Sequence, residues 1–353
     1  MLLQHKRPFT KIGKHGNFLL EGADWNDGLD MAGERGESVA FTAAYAGNLT
    51  ELADLLEKSH LLSKSRGPAS AFLRRKANYL SEHIRKNEWV ITKSGYSFFN
   101  GYYDNKGKRV EGDHKNGVRM TLTGQVFPIM SGVATDKQVK EIYRSAKKYL
   151  WDKKLGGLRL NTDFGGIYPD LGRAFGFAYG EKENGSFFSH MNVMFAYALY
   201  KRGFVKQGFE ILNSIYRMCM NTSASKIYPG LPEYFNSEGR GMYHYLTGSA
   251  SWFVLTLLTQ VFGIRGDMGD LLIDPKLTKE QFAKSTKISI ETRFAGRRTK
   301  VNYINSKKLD YGKYTIRRIV VNGKVITKPL IKRKEFLKLT SKNSSNAINV
   351  YLS

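Results

Sequence analysis

Apolar residues recur at intervals of three and four along most of the first 263 residues, the spacing that places side chains on one face of an α-helix. This pattern predicts helices over residues 37–60, 68–90, 115–131, 135–150, 185–202, 204–220 and 249–263. Thr135-Asp136 supply capping residues for one helix, and Arg202-Gly203 supply a stop signal for another. Long loops rich in Gly, Tyr and Asp follow at residues 95–115, 155–183 and 221–248. Antiparallel helix pairs with long loops at one end predict an α/α toroid with a site on one face.

After Pro275 the pattern changes from helical spacing to alternation with β-branched and aromatic residues. Strands are predicted in residues 287–294, 300–304, 314–326 and 347–352. Asn322-Gly323, between two apolar runs, is a strong signal for a two-residue hairpin turn. We therefore predict a helical domain over residues 1–272 and a small β domain over residues 273–353.

Composition indicates an ordinary globular protein, with 41% hydrophobic and 25% charged residues in a chain of 353. Cys219 is the only cysteine, so no disulfide can form within the chain, and we expect a reducing, cytoplasmic location. The first residues turn charged too early for a signal peptide. The longest apolar stretch, residues 252–264, is too short and too polar to span a bilayer, so no membrane partner is expected.

The formal net charge of +25 raises nucleic acid as a partner. Residues 276–353 hold 20 Lys and Arg against 4 Asp and Glu, which leaves a net of only +9 for the first 275 residues. The one dense run is Lys332-Arg333-Lys334, and no recognised nucleic-acid motif accompanies it. We interpret the excess as a solvated basic face and expect no nucleic-acid partner.

An acid-rich loop lies near the start of the chain. Its sequence is EGADWNDGLDMAGERGESV, over residues 21–39. Asp24, Asp27 and Asp30 are spaced three apart, with Trp25 between the first two. Carboxylates beside an indole are typical of sugar sites, because a sugar ring stacks on the aromatic face and a carboxylic acid protonates the glycosidic oxygen. A surface turn rich in Asp and Gly would show the same pattern, and a calcium loop fits poorly because Ala23 stands at its first ligand position.

Further motifs follow this loop in a fixed order. They are Lys182-Glu183-Asn184-Gly185, then FSHMN at residues 188–192, LTGSASW at 246–252, GIR at 263–265 and LIDP at 272–275. In that order and at those intervals the chain resembles glycoside hydrolase family 94, the cellobiose and chitobiose phosphorylases, over nearly all of residues 15–300. The resemblance departs at Met191, where many cellobiose enzymes have Pro, and at Ala40, where Trp is usual.

The resemblance implies an (α/α)6 barrel that cleaves a β-linked disaccharide or oligosaccharide by inverting phosphorolysis, releasing a sugar 1-phosphate. It implies no cofactor, and inorganic phosphate is the co-substrate. Family members carry an N-terminal β-sandwich, a helical linker and the first half of the barrel before the region matched here. We therefore expect this chain to be the C-terminal half of such an enzyme, to need the missing N-terminal half for activity, and to form a homodimer.

Site residues follow from the same resemblance. Asp27 is implied as the general acid, with Trp25 and Lys182 binding the sugar. The phosphate-binding residues are implied to be His190, Thr247 and Gly248, the last two standing just before the helix predicted from residue 249. Because phosphate is itself an anionic nucleophile, a phosphorylase needs the acid but no base, and a helix N-terminus beside a glycine suits an anion.

Two alternatives stay open. An inverting hydrolase on the same toroid would need a base, for which Glu233 and Glu183 are the candidates. A non-catalytic, carbohydrate-binding fragment would need neither. Each site residue also has an ordinary role available: His190 and Trp25 as core residues, Thr247 as an N-cap, and the three loop-side acids as shaping or capping groups, namely Asp24, Asp30 and Glu37.

Overall fold

The computed structural model describes residues 2–30, 35–58, 66–245 and 247–353. The chain forms two compact units. The first unit consists of Met1–Arg202 and Glu210–Trp252, and the second of Gly203–Phe209 and Phe253–Ser353. These units divide near Trp252, whereas the domain boundary that we predicted at residues 272 and 273 stays a prediction. Leu246 of the LTGSASW motif lies outside the described residues.

Helices dominate the first unit, as the spacing of apolar residues predicts. The described α-helices are α1 Leu2–Lys6, α2 Val39–Lys58, α3 Arg66–Asn87, α4 Thr123–Met130, α5 Asp136–Tyr149, α6 Ser189–Lys201, α7 Val205–Met220, α8 Thr222–Ser225, α9 Gly248–Thr256 and α10 Arg333–Leu339. Thr135 caps α5 as predicted, because its side chain accepts from the Gln138 amide while Gln138 closes a reciprocal capping box. Helix α2 packs on α3 and α4, and α4 packs on α6.

One helix prediction is wrong over part of its length. Residues 115–131 do not form one helix, because Gly117–Arg119 is a strand paired with Gly112–His114 and only Thr123–Met130 is helical. Gly112 and Gly117 have φ angles of +122° and +115°, a backbone that glycine adopts readily and other residues rarely do. The Asn116-Gly117 dipeptide is a turn signal that the helical spacing obscured.

Short strands lie within the sequence predicted as loops and beside it. In the first unit they are β1 Phe18–Leu19, β2 Glu37–Ser38, β3 Trp89–Ile91, β4 Ser97–Phe99, β5 Tyr102–Tyr103, β6 Gly112–His114, β7 Gly117–Arg119, β8 Trp151–Asp152, β9 Gly157–Leu158, β10 Phe187–Phe188, β11 Tyr234–Phe235 and β12 Gly241–Met242. Two three-stranded sheets, ordered β1-β2-β5 and β10-β11-β12, frame the predicted site. Strand β2 follows the acid-rich loop directly, and β10 runs directly into α6.

The second unit is rich in strands, as the alternating pattern predicts. Its strands are β13 Ile264–Asp267, β14 Asp270–Ile273, β15 Lys287–Phe294, β16 Arg297–Ile304, β17 Ile316–Val321, β18 Lys324–Ile326, β19 Leu330–Ile331 and β20 Asn346–Leu352. The main sheet has the order β15-β16-β20-β17-β18, in which β16 and β20 run parallel and the other pairs antiparallel. The predicted hairpin is confirmed, because Asn322 and Gly323 join β17 to β18 with φ angles of +46° and +88°.

The helix predicted to end near Gly263 becomes π-helical in its last turn. Helix α9 passes into a π-helical turn at Leu257–Val261. Gly263 then reverses the chain with φ of +64°, and a Cβ at this position would lie 1.9 Å from the carbonyl oxygen of Asp274. Only glycine fits this close approach, which explains the stop signal. The coarse expectation of helices followed by a β-rich segment is thus confirmed.

Candidate active site

Asp24 holds the acid-rich loop in shape. Its carboxylate accepts hydrogen bonds from the Asn26 amide at 2.9 Å and the Ser38 hydroxyl at 2.8 Å, and burial raises its pKa. Asn26 in turn accepts from the Gly28 amide at 3.0 Å. These side-chain-to-backbone bonds fix the turn that presents the next carboxylate, Asp27.

Arg173 binds the loop at Asp30, three residues beyond Asp27. The sequence analysis did not predict a role for Arg173. Asp30 accepts from the Arg173 amide at 2.8 Å and from its guanidinium at 2.9 Å, and these bonds lower the pKa of Asp30. Another guanidinium nitrogen of Arg173 lies 3.7 Å from the Asp27 carboxylate. The Gly28 carbonyl accepts from the amide of Ala174 at 2.9 Å. Arg173 stands in a segment predicted as loop, where neither periodicity nor a motif marks it.

Asp27 opens onto a cleft of about 240 Å³ in the first unit. Its side chain is 80% exposed, so a substrate oxygen can reach it. The Trp25 ring contacts the edges of Phe188 and His190, with centroid distances of 5.5 and 5.4 Å. The residues that line the cleft are Trp25, Asn26, Asp27, Glu183, Phe188, His190 and Glu233.

His190 lies in the first turn of α6, half-buried between the rings of Trp25 and Trp252. Burial lowers the pKa of His190 to about 4, so the ring is neutral at neutral pH. Its Nε2 atom and the hydroxyl of neighbouring Ser189 are buried without a hydrogen-bond partner in the described part of the chain. Unpaired polar atoms inside a protein call for a ligand or water. Sequence reasoning named His190 but missed Ser189, although both stand in the same motif.

Gly248 brings the N-terminus of α9 against the His190 ring. A Cβ at position 248 would lie 2.7 Å from Cε1 and 2.9 Å from Nδ1 of His190, so a side chain here would displace the imidazole. The glycine thus permits a close approach of the His190 ring, which the sequence did not predict, whereas the predicted approach of an anion to Gly248 stays a prediction.

Thr247 acts as a cap in this structure. Its hydroxyl accepts from the Ser249 amide at 3.1 Å and donates to the Ser249 hydroxyl at 2.9 Å. Ser249 in turn donates to the Glu233 carbonyl at 3.5 Å, which links α9 to strand β11 beside the cleft. The capping role considered for Thr247 is therefore present, whereas a phosphate-binding role stays a prediction.

Two further carboxylates share the cleft with Asp27. Burial raises the pKa of Glu233, and the negative charges of Glu183 and Asp27 raise it further. The backbone of Glu233 is fixed, because its amide donates to the Tyr243 carbonyl at 2.8 Å and its carbonyl accepts from the Ser189 amide at 2.7 Å. The two candidate bases for a hydrolase thus lie on the same cleft as the predicted acid.

Lys182 is the one predicted sugar-binding residue absent from the described residues that line the cleft. Its ammonium lies 4.7 Å from the ring centre of Phe177 and 5.8 Å from that of Tyr243. Tyr243 contacts Tyr234, which stacks on Phe188 of the cleft wall. Lys182 is therefore connected to the cleft through aromatic rings, and its predicted contact with sugar stays untested.

Glu37 does not cap helix α2, one of the roles considered for it. Its buried carboxylate accepts from the amide of His15 at 3.0 Å, the His15 ring at 2.8 Å and the amide of Asn17 at 3.1 Å. The cap is Ser38, whose hydroxyl accepts from the Phe41 amide at 2.9 Å. Glu37 therefore ties the chain before the loop to the helix after it.

Comparison with known proteins identifies a family whose model matches most of the chain. The model of the glycosyl hydrolase 94 superfamily catalytic domain matches residues 4–263. The chain is 26% identical over 280 residues to the cellobionic acid phosphorylase of Neurospora crassa, covering 74% of this chain and 33% of that protein. It is 24% identical over 318 residues to the 3-O-beta-D-glucopyranosyl-beta-D-glucuronide phosphorylase of Paenibacillus borealis, covering 86% and 39%. The chain thus spans between a third and two-fifths of these relatives.

A solved structure, the mannosylglycerate hydrolase of Thermus thermophilus, aligns with a TM-score of 0.40 and 15% identity over 63% of this chain and 47% of that one. That score is too low to establish a shared fold. Within residues 2–30, 35–58, 66–245 and 247–353, no cluster of three His, Cys, Asp or Glu side chains is arranged to hold a metal ion. In the same ranges, no helix is long and apolar enough to cross a membrane.

Proposed function

Because the chain belongs to the glycosyl hydrolase 94 superfamily, we propose that it carries the general acid of an enzyme that cleaves a β-linked disaccharide or oligosaccharide by inverting phosphorolysis. The product is a sugar 1-phosphate, no cofactor takes part, and phosphate is the co-substrate. The observation that carries the proposal is the cleft lined by Asp27, Trp25 and His190, together with the close approach of the His190 ring to Gly248 at the N-terminus of α9.

In this proposal Asp27 donates a proton to the leaving glycosidic oxygen while phosphate attacks the anomeric carbon from the opposite face. Its high exposure supports the role, since the proton must reach a substrate atom. Asp24 and Arg173 hold the loop from its two sides, so that the carboxylate is presented in a fixed position. Trp25 offers the apolar surface on which a sugar ring packs, and Lys182 approaches the sugar hydroxyls.

Phosphate is proposed to bind at His190, Thr247 and Gly248. A helix N-terminus presents free amide groups and the positive end of the helix dipole, and Gly248 lets an anion approach the backbone. The neutral ring of His190 adds a nitrogen, Nε2, and Ser189 adds a hydroxyl. Neither atom has a hydrogen-bond partner among the described residues. These neutral donors stabilise an anion through hydrogen bonds that the charge of the anion strengthens.

We further propose that the chain is the C-terminal half of an (α/α)6 barrel, with residues 1–272 in the barrel and residues 273–353 in the β domain. Helix α9 supports this view because its polar residues do not form a separate face, and Val254 is 54% and Leu255 40% exposed. A helix without a polar face is normally buried among neighbours. The remaining half of the catalytic domain would supply those neighbours. A cytoplasmic homodimer is proposed for the assembled enzyme.

Product analysis tests the proposal. The chain, assayed together with the N-terminal portion of a superfamily member, is incubated with a panel of β-linked disaccharides in phosphate buffer and in phosphate-free buffer. Phosphorolysis predicts a sugar 1-phosphate that forms only with phosphate. Asp27→Asn should abolish the product, and Asp170→Asn, an exposed carboxylate outside the cleft, should not. Product at an unchanged rate in Asp27→Asn would rule out the assignment of the acid.

A second candidate is an inverting hydrolase, favoured by the presence of Glu233 and Glu183 on the same cleft. An inverting hydrolase needs a base separated from the acid by about 6.5–9.5 Å, with room for water between them. Burial raises the pKa of Glu233, and the charges of Glu183 and Asp27 raise it further. Free sugar released at the same rate with and without phosphate, and lost in Glu233→Gln, would favour this alternative. Sugar binding without any product would favour a non-catalytic carbohydrate-binding fragment.

A further inference from the structure

The second unit contains a basic groove of about 660 Å³ that the proposed chemistry does not use. It runs along strands β17, β18 and β20 and the turn that follows β16. The residues that line this groove are Ile304, Ser306, Lys307, Arg317, Arg318, Val325, Ile326, Thr327, Tyr351, Leu352 and Ser353. All of them belong to one compact unit, so the groove is built by that unit alone.

The pairing of β17 with β20 places one cation of the groove, Arg318, over an aromatic ring. Arg318 on β17 pairs with Tyr351 on β20, so the two side chains stand on the same face of the sheet. The guanidinium carbon of Arg318 lies 4.3 Å from the centre of the Tyr351 ring. A cation held over an aromatic ring keeps its N–H edges free and oriented for an incoming anion.

The cations of the groove stand apart from acidic side chains in the described part of the chain. Among the described residues that line it, none carries an acidic side chain. Elsewhere in the same unit the acidic residues pair with other cations: Asp270 with Lys332 at 2.8 Å, Glu291 with Arg298 at 2.9 Å and Asp310 with Lys206 at 2.9 Å. The groove thus presents three cations, Lys307, Arg317 and Arg318, with no acidic side chain among the residues that line it, and this attracts anions.

Apolar and hydroxyl groups stand beside these cations. Val325 is 54% exposed, and Ser306 and Thr327 supply hydroxyls within the same groove. A ligand that matches this lining carries an anionic group at one end and a surface of C–H and hydroxyl groups at the other. The volume lies within the range of sites that hold small ligands.

We propose that this basic groove binds a phosphorylated saccharide, with the phosphate on Lys307, Arg317 and Arg318 and the sugar against Val325 and the hydroxyls. Planar guanidinium groups bind phosphate through paired N–H donors. The proposal is independent of the cleft chemistry, because no residue of the cleft contributes to the groove. A product of sugar phosphorolysis has the same chemistry as this ligand, so the groove could retain product near the enzyme.

A nucleic acid fits the groove less well. Proteins that bind single strands combine a long cationic track with successive aromatic rings on which bases stack. This groove offers one aromatic ring, Tyr351, and Arg318 already covers a face of that ring. Oligonucleotide binding is therefore the competing outcome in the test.

Methyl NMR of the whole chain tests the proposal at the groove itself. Glucose 1-phosphate is titrated while the methyl signals of Val325 and Ile326 are followed, with glucose, inorganic phosphate and a short oligothymidylate as comparison probes. We expect saturable shifts of these two signals with glucose 1-phosphate, weaker binding of phosphate and none of glucose. Because Val325 and Ile326 line the groove, their signals report binding of glucose 1-phosphate there and not at Asp27.

Matched variants complete the test. Arg318→Gln should weaken glucose 1-phosphate binding at the groove roughly tenfold or more, the loss expected for charge-assisted hydrogen bonds. Arg293→Gln, which removes the same charge from an exposed position on β15, should leave the affinity unchanged. Unshifted groove signals, equal losses in both variants, or tighter binding of the oligonucleotide than of glucose 1-phosphate would overturn the proposal. A failed phosphorolysis assay would leave it standing.

Discussion

At the scale of single residues, the sequence locates the chemistry better than it locates the residues that support it. Asp27, Trp25 and His190, named from a short motif and a resemblance, line one cleft. Arg173 was missed because its role arises from contacts across the chain, and Ser189 because only the structure shows that its hydroxyl is buried without a partner among the described residues. The Arg173 bond to Asp30, for example, joins residues 143 positions apart. No local sequence pattern predicts a contact between residues so far apart.

Asp27 is expected to be indispensable. Asp27→Asn should lower phosphorolysis by ~10²–10⁴, because the amide cannot donate a proton to the leaving oxygen. The rate should recover on a substrate whose leaving group needs no proton, which kcat measured on natural and activated substrates will show. Normal activity of this variant on a natural disaccharide would contradict the role.

His190 and Thr247 are expected to act on phosphate. His190→Ala and Thr247→Ala should raise the KM for phosphate far more than the KM for disaccharide, since both supply donors at a helix N-terminus. Because burial lowers the pKa of His190 to about 4, its ring stays neutral as the pH rises from about 5 to 8. Titration of this residue should therefore leave the KM for phosphate unchanged over that interval. Equal effects on both substrates would indicate a structural role.

Glu111 is expected to make stability depend on pH. Burial raises its pKa to about 7 from 4.5, although its carboxyl accepts from the Thr121 hydroxyl and the Gly101 and Tyr102 amides. A carboxyl with a raised folded pKa stabilises the fold while it is protonated, and this contribution is lost as the pH rises from the unfolded pKa to the folded one. The loss amounts to about 2 kcal/mol between about pH 5.5 and pH 8.

Urea unfolding of wild type and Glu111→Gln at those two pH values measures this contribution. Glutamine mimics the protonated acid, accepting from the two amides and donating to Thr121. The variant should lose less stability than wild type on going from the lower to the higher pH. Identical losses would show that Glu111 does not titrate in this interval.

At the scale of elements, helices with strong periodicity and the Asn322-Gly323 hairpin could be predicted, because their signals are local. The short sheets could not. Strands β10 and β11 are two residues long, and their pairing brings Phe187 to Phe235 although helices α6, α7 and α8 lie between them in the chain. Such strands are too short to show alternation, and they form because the surrounding helices bring them together. The error over residues 115–131 has the same origin, since a hairpin interrupts an apolar run.

The approach of α9 to α6 gives a prediction at this scale. Gly248→Ala would place a Cβ 2.7 Å from the His190 ring and should displace it, raising the KM for phosphate while the helix itself tolerates alanine. Gly67→Ala is the matched control, because it lies in α3 with no atom near the new Cβ and should stabilise the protein by up to about 1 kcal/mol. An unchanged KM in Gly248→Ala would exclude this contact from phosphate binding.

At the scale of the whole molecule, the exposed apolar faces matter most. Helix α9 exposes Val254 and Leu255, and α2 and α3 expose Leu55 and Phe72. Exposed apolar patches of this kind drive association with a partner or with other copies. The sequence pattern does not identify these exposed side chains, because their exposure depends on how the helices pack.

We therefore expect the chain by itself to be inactive and marginally folded. Purified protein should aggregate or bind hydrophobic dyes, and an N-terminal portion of a superfamily member should suppress both effects. Light scattering and dye fluorescence, with and without that portion, provide the measurement. A monomer that melts cooperatively and binds no dye would contradict this expectation.

The central claim is that the cleft around Asp27 performs phosphorolysis, and the identity of the product tests it most directly. Product from a β-linked disaccharide is followed by ³¹P and ¹H NMR, using the chain assembled with the N-terminal portion of a superfamily member. We predict an α-sugar 1-phosphate that appears only with phosphate and is lost in Asp27→Asn. Free sugar released at the same rate without phosphate would contradict the claim.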